Sequence, residues 1–269
     1  MDLVRRYPAF APSDGHVVTL DDVDRCARPI HFELEDEVFR YAGNGSSFVA
    51  VRDQTWVLFT AAHVVGNANV ASVRVLPTDG SRRWLRFERR SRVTSLIEGD
   101  TDLADVTCLT IDMSNLKMPC GDVLHGVDLH FPTASPRPGD QLIITGYPRV
   151  SRGVDYEAPG ITAIGQRIGA TYTGRGIGAR CHEVELTQLG DLNDFDGFSG
   201  SPVYWIGDRE GDLATVRLAG MVLRGNVFSR RAHYIEAAVV LAVAETASTG
   251  VPTNIWRGGN PSVDPRRSA

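Results

Sequence analysis

Trp56-Val57-Leu58-Phe59-Thr60-Ala61-Ala62-His63 decides the fold class: a β-branched and aromatic apolar run that stops on small residues and an imidazole. Short runs of this kind recur along the chain between clusters of Gly, Pro, Asp and Asn, and few stretches carry an apolar period of about 3.6. The pattern predicts strands over Ile30–Leu34, Ser47–Val51, Trp56–Thr60, Ser72–Leu76, Leu85–Phe87, Val106–Ile111, Gln141–Thr145, Thr162–Ile168, Glu183–Thr187, Pro202–Trp205, Val216–Leu223 and around Tyr234. About a dozen short strands point to an all-β protein of barrel type rather than one open sheet. Ala237–Ala247, rich in Ala, Val and Leu, is the one convincing helix.

Weak periodicity and the Pro and Gly content from Asp112 to Gly139 mark a linker between two halves, residues 30–125 and 126–250. Residues 1–29 precede the first half as an extension, in which Asp21-Asp22-Val23-Asp24 predicts a capped turn or short helix; brace, docking arm and lid are all open roles for it. Residues 251–269 read as a tail that frays.

Hydrophobic residues make up 42% of the 269, which supports a real core and excludes disorder of the whole chain. A net charge of -5 argues against a general nucleic-acid binder. The opening Met1–Pro8 lacks the apolar stretch of a secretion signal, and no later run approaches the ~18 apolar residues of a membrane helix. The expectation is therefore a soluble, cytoplasmic protein without a membrane partner. Cys26, Cys108, Cys120 and Cys181 form no CxxC pair and read as free thiols. Cys120, His125 and His130 match no metal-ligand spacing, so that stretch reads as a loop and no metal is expected.

Gly197-Phe198-Ser199-Gly200-Ser201-Pro202 brackets a serine with small residues. Gly197 and Gly200 let the backbone turn tightly and expose the Ser199 hydroxyl, and the N–H groups of Gly197 and Ser199 form the candidate oxyanion hole. The competing reading is a plain turn ahead of the strand at Val203. Small residues before His63 allow a turn that brings its ring to a cleft surface, where one nitrogen accepts the Ser199 proton and the other needs an acidic partner. Asp102 and Asp105 compete for that role. Asp105 is preferred because it opens the apolar run Val106-Thr107-Cys108-Leu109-Thr110-Ile111, whereas choosing Asp102 buries an unpaired carboxylate in that strand. With His63 and Asp105 in one half and Ser199 in the other, an acyl-transfer site falls in the cleft between them.

Thr60-Ala61-Ala62-His63, Asp105-Val106-Thr107-Cys108-Leu109 and Gly197-Phe198-Ser199-Gly200-Ser201-Pro202 resemble the three catalytic blocks of the chymotrypsin-like serine peptidases, in that family's order. Gly139-Asp140-Gln141-Leu142-Ile143-Ile144-Thr145-Gly146-Tyr147-Pro148 is similar to the start of the second barrel in bacterial members, and the resemblance spans about residues 30 to 245. It implies two six-stranded antiparallel β-barrels with a C-terminal helix. It also implies hydrolysis of a protein or peptide substrate through an acyl-enzyme, without metal or cofactor: Ser199 attacks, His63 moves the proton and Asp105 holds the imidazole. Leu223-Arg224-Gly225 resembles the edge that pairs with an extended substrate. Asn193 stands where trypsins keep their pocket aspartate and Asp194 is the nearby substitute, so cleavage after Arg or Lys is expected ahead of small or apolar residues. Val64 after the histidine, and the lack of cysteine beside Ser199, depart from the disulfide-bonded secreted members. Phe198 replaces the aspartate that pairs with a newly cut N-terminus, so the uncut chain is expected to be active. The alternative is a protease-fold binding module, inactive or dependent on a regulatory protein partner.

Six arginines crowd into Arg82-Arg83-Trp84-Leu85-Arg86-Phe87-Glu88-Arg89-Arg90-Ser91-Arg92. A patch for nucleic acid or an acidic protein is one reading. A solvated hairpin with Leu85 and Phe87 facing the core is preferred for an acidic chain. Gly174-Arg175-Gly176-Ile177-Gly178 reads as a hairpin tip and not a dinucleotide fingerprint.

Overall fold

A computed structural model describes residues 4–7, 18–36, 40–78, 83–92, 101–116, 118, 123–155, 160–178, 180–210 and 213–250. The predicted tail at 251–269, Arg82 and Cys120 lie outside the described residues. The first sheet comprises β1 (Val4–Tyr7), β3 (Ala27–Glu33), β4 (Tyr41–Arg52), β5 (Thr55–Ala61), β6 (Val73–Arg74), β7 (Phe87–Arg92), β8 (Val106–Ile111) and β9 (Leu124–Asp128). The second comprises β2 (Val18–Thr19), β10 (Gln141–Gly146), β13 (Gln166–Arg175), β14 (Cys181–Gln188), β15 (Pro202–Glu210), β16 (Leu213–Asn226) and β17 (Arg231–Glu236). A hairpin of β11 (Arg152–Asp155) and β12 (Gly160–Ala163) pairs with neither sheet. Helices α1 (Leu20–Asp24), α2 (Ala62–Val65) and α3 (Thr101–Ala104) are short, and α4 (Ala237–Thr249) is the long one the sequence predicts.

The second sheet closes. Its order runs β15-β10-β13-β14-β17-β16, and β16 pairs back to β15, which makes a six-stranded barrel. Alternation along β13 turns Ile168, Ala170 and Tyr172 into its core, while their neighbours stay more exposed. The first sheet, β1-β9-β4-β5-β8-β7 with β3 and β6 attached through β4, curls without closing. Of the two closed barrels expected, the described residues show one, with the first sheet as a curled half-barrel. The reason is local: β6 has two residues, the pairing of β7 to β8 shifts register between Phe87 and Arg89, and the two edges meet through the Leu85 N–H to Val75 carbonyl bond of 2.8 Å.

Two further expectations change. The stretch read as a linker contains β9, which pairs in parallel with β4 through Ala50–Val127 and crosses the boundary placed at 125/126. The N-terminal extension is a brace: β1 pairs with β9 in the first sheet and β2 with β16 in the second. Directly after β2, α1 docks on the barrel, where Asp24 accepts a 2.6 Å hydrogen bond from the Thr145 hydroxyl and pairs with Arg167. Every residue of β8 is buried, because α4 returns from the second barrel and covers the first sheet with Val239, Val240 and Val243. No helix among the described residues is long and apolar enough to cross a membrane.

Asp53 and Gln54 take positive φ at the β4–β5 turn, and that turn is clamped to the end of β9 by His130. The His130 ring bonds Asp53 at 2.8 Å through Nε2 and Asp128 at 2.9 Å through Nδ1, and the two carboxylates, Asp53 foremost, raise its pKa. A pKa raised by folding contributes stability fully present below the unfolded value and lost as pH rises through the folded one. His130→Gln is therefore expected to lower the urea midpoint more at mildly acidic than at alkaline pH; equal losses at both would show that the clamp carries no charge.

Candidate functional site

The site begins with a buried serine in the first sheet. Ser46, on β4, donates its N–H to the Ser199 carbonyl at 2.9 Å and its hydroxyl to the Gly197 carbonyl at 2.6 Å. The same hydroxyl accepts the Tyr147 N–H at 2.8 Å, and the Ser46 carbonyl accepts the Thr60 hydroxyl at 2.7 Å. These bonds seat the Ser199 loop at the end of β5, where the His63 turn begins. The loop needs its glycines. Gly197 (φ 97°) and Gly200 (φ 90°) adopt left-handed backbone, and a Cβ on Gly200 would stand 2.1 Å from the Ser46 carbonyl oxygen.

Two peptide planes beside Ser199 are fixed through their carbonyls. Arg149 N–H bonds the Asp196 carbonyl at 2.8 Å and Ser201 N–H bonds the Phe198 carbonyl at 2.9 Å. A trans peptide points its N–H opposite its carbonyl, so the Gly197 and Ser199 N–H groups point away from the Arg149 and Ser201 amides that hold those carbonyls. Neither N–H has an acceptor among the described residues. The mostly buried Arg152 donates to the Gly197 carbonyl at 3.0 Å and, through Nε, to Tyr147 at 2.9 Å. Burial, with Arg149 nearby, lowers its pKa to about 10, which leaves it charged at neutral pH.

His63 lies on α2, a single turn capped from outside. Asp105 accepts the Ala62 N–H on its carbonyl at 2.8 Å and the His63 N–H on Oδ1 at 2.9 Å, which satisfies two orphan donors of the turn. Its Oδ2 holds His63 Nδ1 at 2.7 Å. That hydrogen bond, opposed by partial burial and aided by the carboxylate charge, raises the His63 pKa. At the other end of the turn Arg90 donates to the carbonyls of Gly66 (2.8 Å) and Ala62 (3.3 Å) and to the Thr107 hydroxyl (3.1 Å). Asp102, the competing acid, is engaged elsewhere: it forms a bidentate pair with Arg224 that keeps its carboxyl below the usual range. This pair joins α3 of the first half to β16 of the second.

The remaining predicted residues divide. Leu223, Arg224 and Gly225 form an edge paired to β17 on one side, and the Leu223 carbonyl accepts the Ser199 hydroxyl at 2.9 Å. Ser199 thus bonds Leu223, and the structure contains no Ser199–His63 hydrogen bond. Asn193 is exposed, and Asp194 turns its carboxylate to the Asp196 N–H at 3.0 Å. The side chain that meets the edge is Phe195, whose ring atoms stand 2.5 Å and more from where a Gly225 Cβ would lie. Phe195 is buried and stacks on Phe198 with ring centroids 4.8 Å apart. Sequence reasoning missed Ser46, Arg90, Arg152 and Phe195. A buried arginine on a strand carries no local signal, but the Gly-Ser-Ser opening of an apolar run was one place to look for Ser46.

A scan of the chain against protein-family models gives no match, and a search among curated proteins gives none. In 15N-resolved NMR titrations, His63 is expected to titrate above the ordinary histidine value of about 6.5 and to fall back in Asp105→Asn. An unchanged titration in that variant would remove Asp105 as the partner of the ring.

Proposed function

We propose that the protein is a serine endopeptidase of the chymotrypsin-like type, with the curled first sheet as an open version of that architecture's first barrel. One observation carries the reading: an imidazole bonded through Nδ1 to Asp105, with Nε2 unspent, shares a seam with a serine flanked by two unspent backbone N–H groups. This is the arrangement that acyl transfer needs.

In the mechanism that follows, substrate binding draws the Ser199 hydroxyl from the Leu223 carbonyl to His63 Nε2, as apo hydrogen bonds at such sites commonly tighten on binding. Ser199 Oγ attacks the scissile carbonyl while His63 takes its proton, and the oxyanion accepts from the N–H groups of Gly197 and Ser199. His63 then protonates the leaving amine. Water, deprotonated by His63, attacks the acyl-enzyme; the Ser199 Oγ–acyl bond breaks, His63 returns the proton to Oγ and the carboxylic acid product leaves, ionised in solution. Asp105 keeps the Nδ1 proton in place and stabilises the imidazolium. The substrate backbone lies along the free side of Leu223–Gly225. A partner-dependent variant of this reading is supported by the resting Ser199 bond to Leu223 and by the Asp102–Arg224 bridge across the cleft.

A fluorophosphonate probe is expected to label Ser199 in the intact chain and to fail on Ser199→Ala and His63→Ala. Labelling only in host lysate would favour the partner-dependent form, and none in either would contradict the enzyme. The Phe195 ring against Gly225, with an amide at Asn193 and the Asp194 carboxylate turned to the Asp196 N–H, favours a small residue before the scissile bond over Arg or Lys. Phe195→Val is expected to raise kcat/KM for peptides with a larger apolar residue there by about ten- to a hundredfold; an unchanged profile would show that Phe195 does not bound the pocket.

A further inference from the structure

The arginine-rich segment divides into two sets with different tasks. Arg89 donates to the Ala247 carbonyl of α4, while Arg90 and Arg92 both donate to the Gly66 carbonyl, so these three are committed to protein backbone. Arg83 and Arg86 are exposed and line a cavity of about 760 Å³ on the first sheet. Such a volume falls within the roughly 300–1,000 Å³ of sites for small molecules and cofactors. None of its lining residues belongs to the His63–Ser199 cleft.

We infer that this cavity binds a mononucleotide-class ligand, a planar ring carrying a phosphate. Trp84 and Tyr41 meet in its wall with ring centroids 5.5 Å apart and planes tilted by 46°, and the Arg40 guanidinium lies 5.7 Å from the Tyr41 ring centre. Aromatic faces of this kind stack on a flat heterocycle. Glu33 anchors Arg40 through a 2.7 Å bond and also holds Arg74, so the frame is ordered by its own ion pairs. The exposed Arg86 guanidinium lines the cavity with no hydrogen-bond or ion-pair partner among the described residues. Among the described lining residues, four guanidinium groups (Arg40, Arg74, Arg83, Arg86) against two carboxylates (Glu33, Asp112) give an excess of two positive charges in a chain whose net charge is -5. A phosphomonoester carries about -1.5 to -2 at neutral pH, which complements that excess, and the guanidinium fork suits its oxygens. A polynucleotide fits less well, because Arg89, Arg90 and Arg92 face protein carbonyls and do not extend the basic surface beyond the cavity.

The test uses the full chain, titrated with AMP and GMP and followed by tryptophan fluorescence and by calorimetry, with adenosine, inorganic phosphate, a single-stranded oligonucleotide and an acidic peptide as comparisons. Saturable binding of one monophosphate per chain is expected, at least about tenfold tighter than adenosine or phosphate alone. Arg86→Glu, on an exposed side chain, is expected to weaken it at least about tenfold with an unchanged melting temperature, and Trp84→Phe to remove the quench while heat is still released. Absence of binding at about 1 mM, indifference to Arg86→Glu, or tighter binding of the oligonucleotide or the peptide would overturn the assignment. The cavity and the peptidase reading stand or fall separately, since neither uses the other's residues.

Discussion

Ser46 is the constraint on which the rest of the site depends. It is fully buried, and its N–H, carbonyl and hydroxyl are all engaged, with the Ser199 loop, with Tyr147 at the end of β10 and with Thr60 just ahead of His63. A polar group removed from water must find partners or cost about 1–3 kcal/mol, so two sheets that both complete Ser46 are held in one relative position. Gly200 follows from the same seam, since Ser46 and Thr60 occupy the space that its side chain would fill. Precision at the site is thus a by-product of satisfying one buried residue.

Cations supply the second layer of order. Arg152 and Arg90 are directed at backbone carbonyls, Arg152 at the Gly197 peptide and Arg90 at the two ends of the His63 turn. A charged donor to a carbonyl makes a hydrogen bond stronger than a neutral one, and a carbonyl held in place fixes its whole peptide plane. Asp105 does the complementary work, accepting from the backbone and the ring of His63 through its two oxygens. The Asp102–Arg224 pair, built from residues of both halves, ties α3 to β16 beside this frame.

Much of the architecture was legible. The run Val106–Ile111 is a strand with those same bounds, and Ala237–Ala247 lies inside α4, because a continuous β-branched apolar run and a long stretch rich in Ala, Val and Leu are strong local signals. β9 was not legible: His125, Gly126 and Asp128 break the apolar pattern, and its pairing in parallel with β4 is a tertiary choice. Barrel closure also failed to follow from strand count, since it depends on how far β6 extends and on the register of β7. At the site, the choice of Asp105 over Asp102 followed from strand register, and the structure places Asp105 on the ring. Phe195 escaped notice because attention fell on its charged neighbours, whereas what meets Gly225 is set by which side of the loop turns inward.

On the proposed peptidase reading, the Ser46 seam assembles the Ser199 nucleophile from the two sheets. Its most direct test is the rate at which Ser199 is acylated by an activated ester, followed by intact-mass spectrometry in the native chain and in Ser46→Ala, with folding of both checked by circular dichroism. The account predicts one acyl group per chain on Ser199 in the native protein and a rate at least about tenfold lower in the variant, about 1.4 kcal/mol of lost transition-state stabilisation. A native chain that is never acylated, or a variant acylated at the native rate, would contradict it.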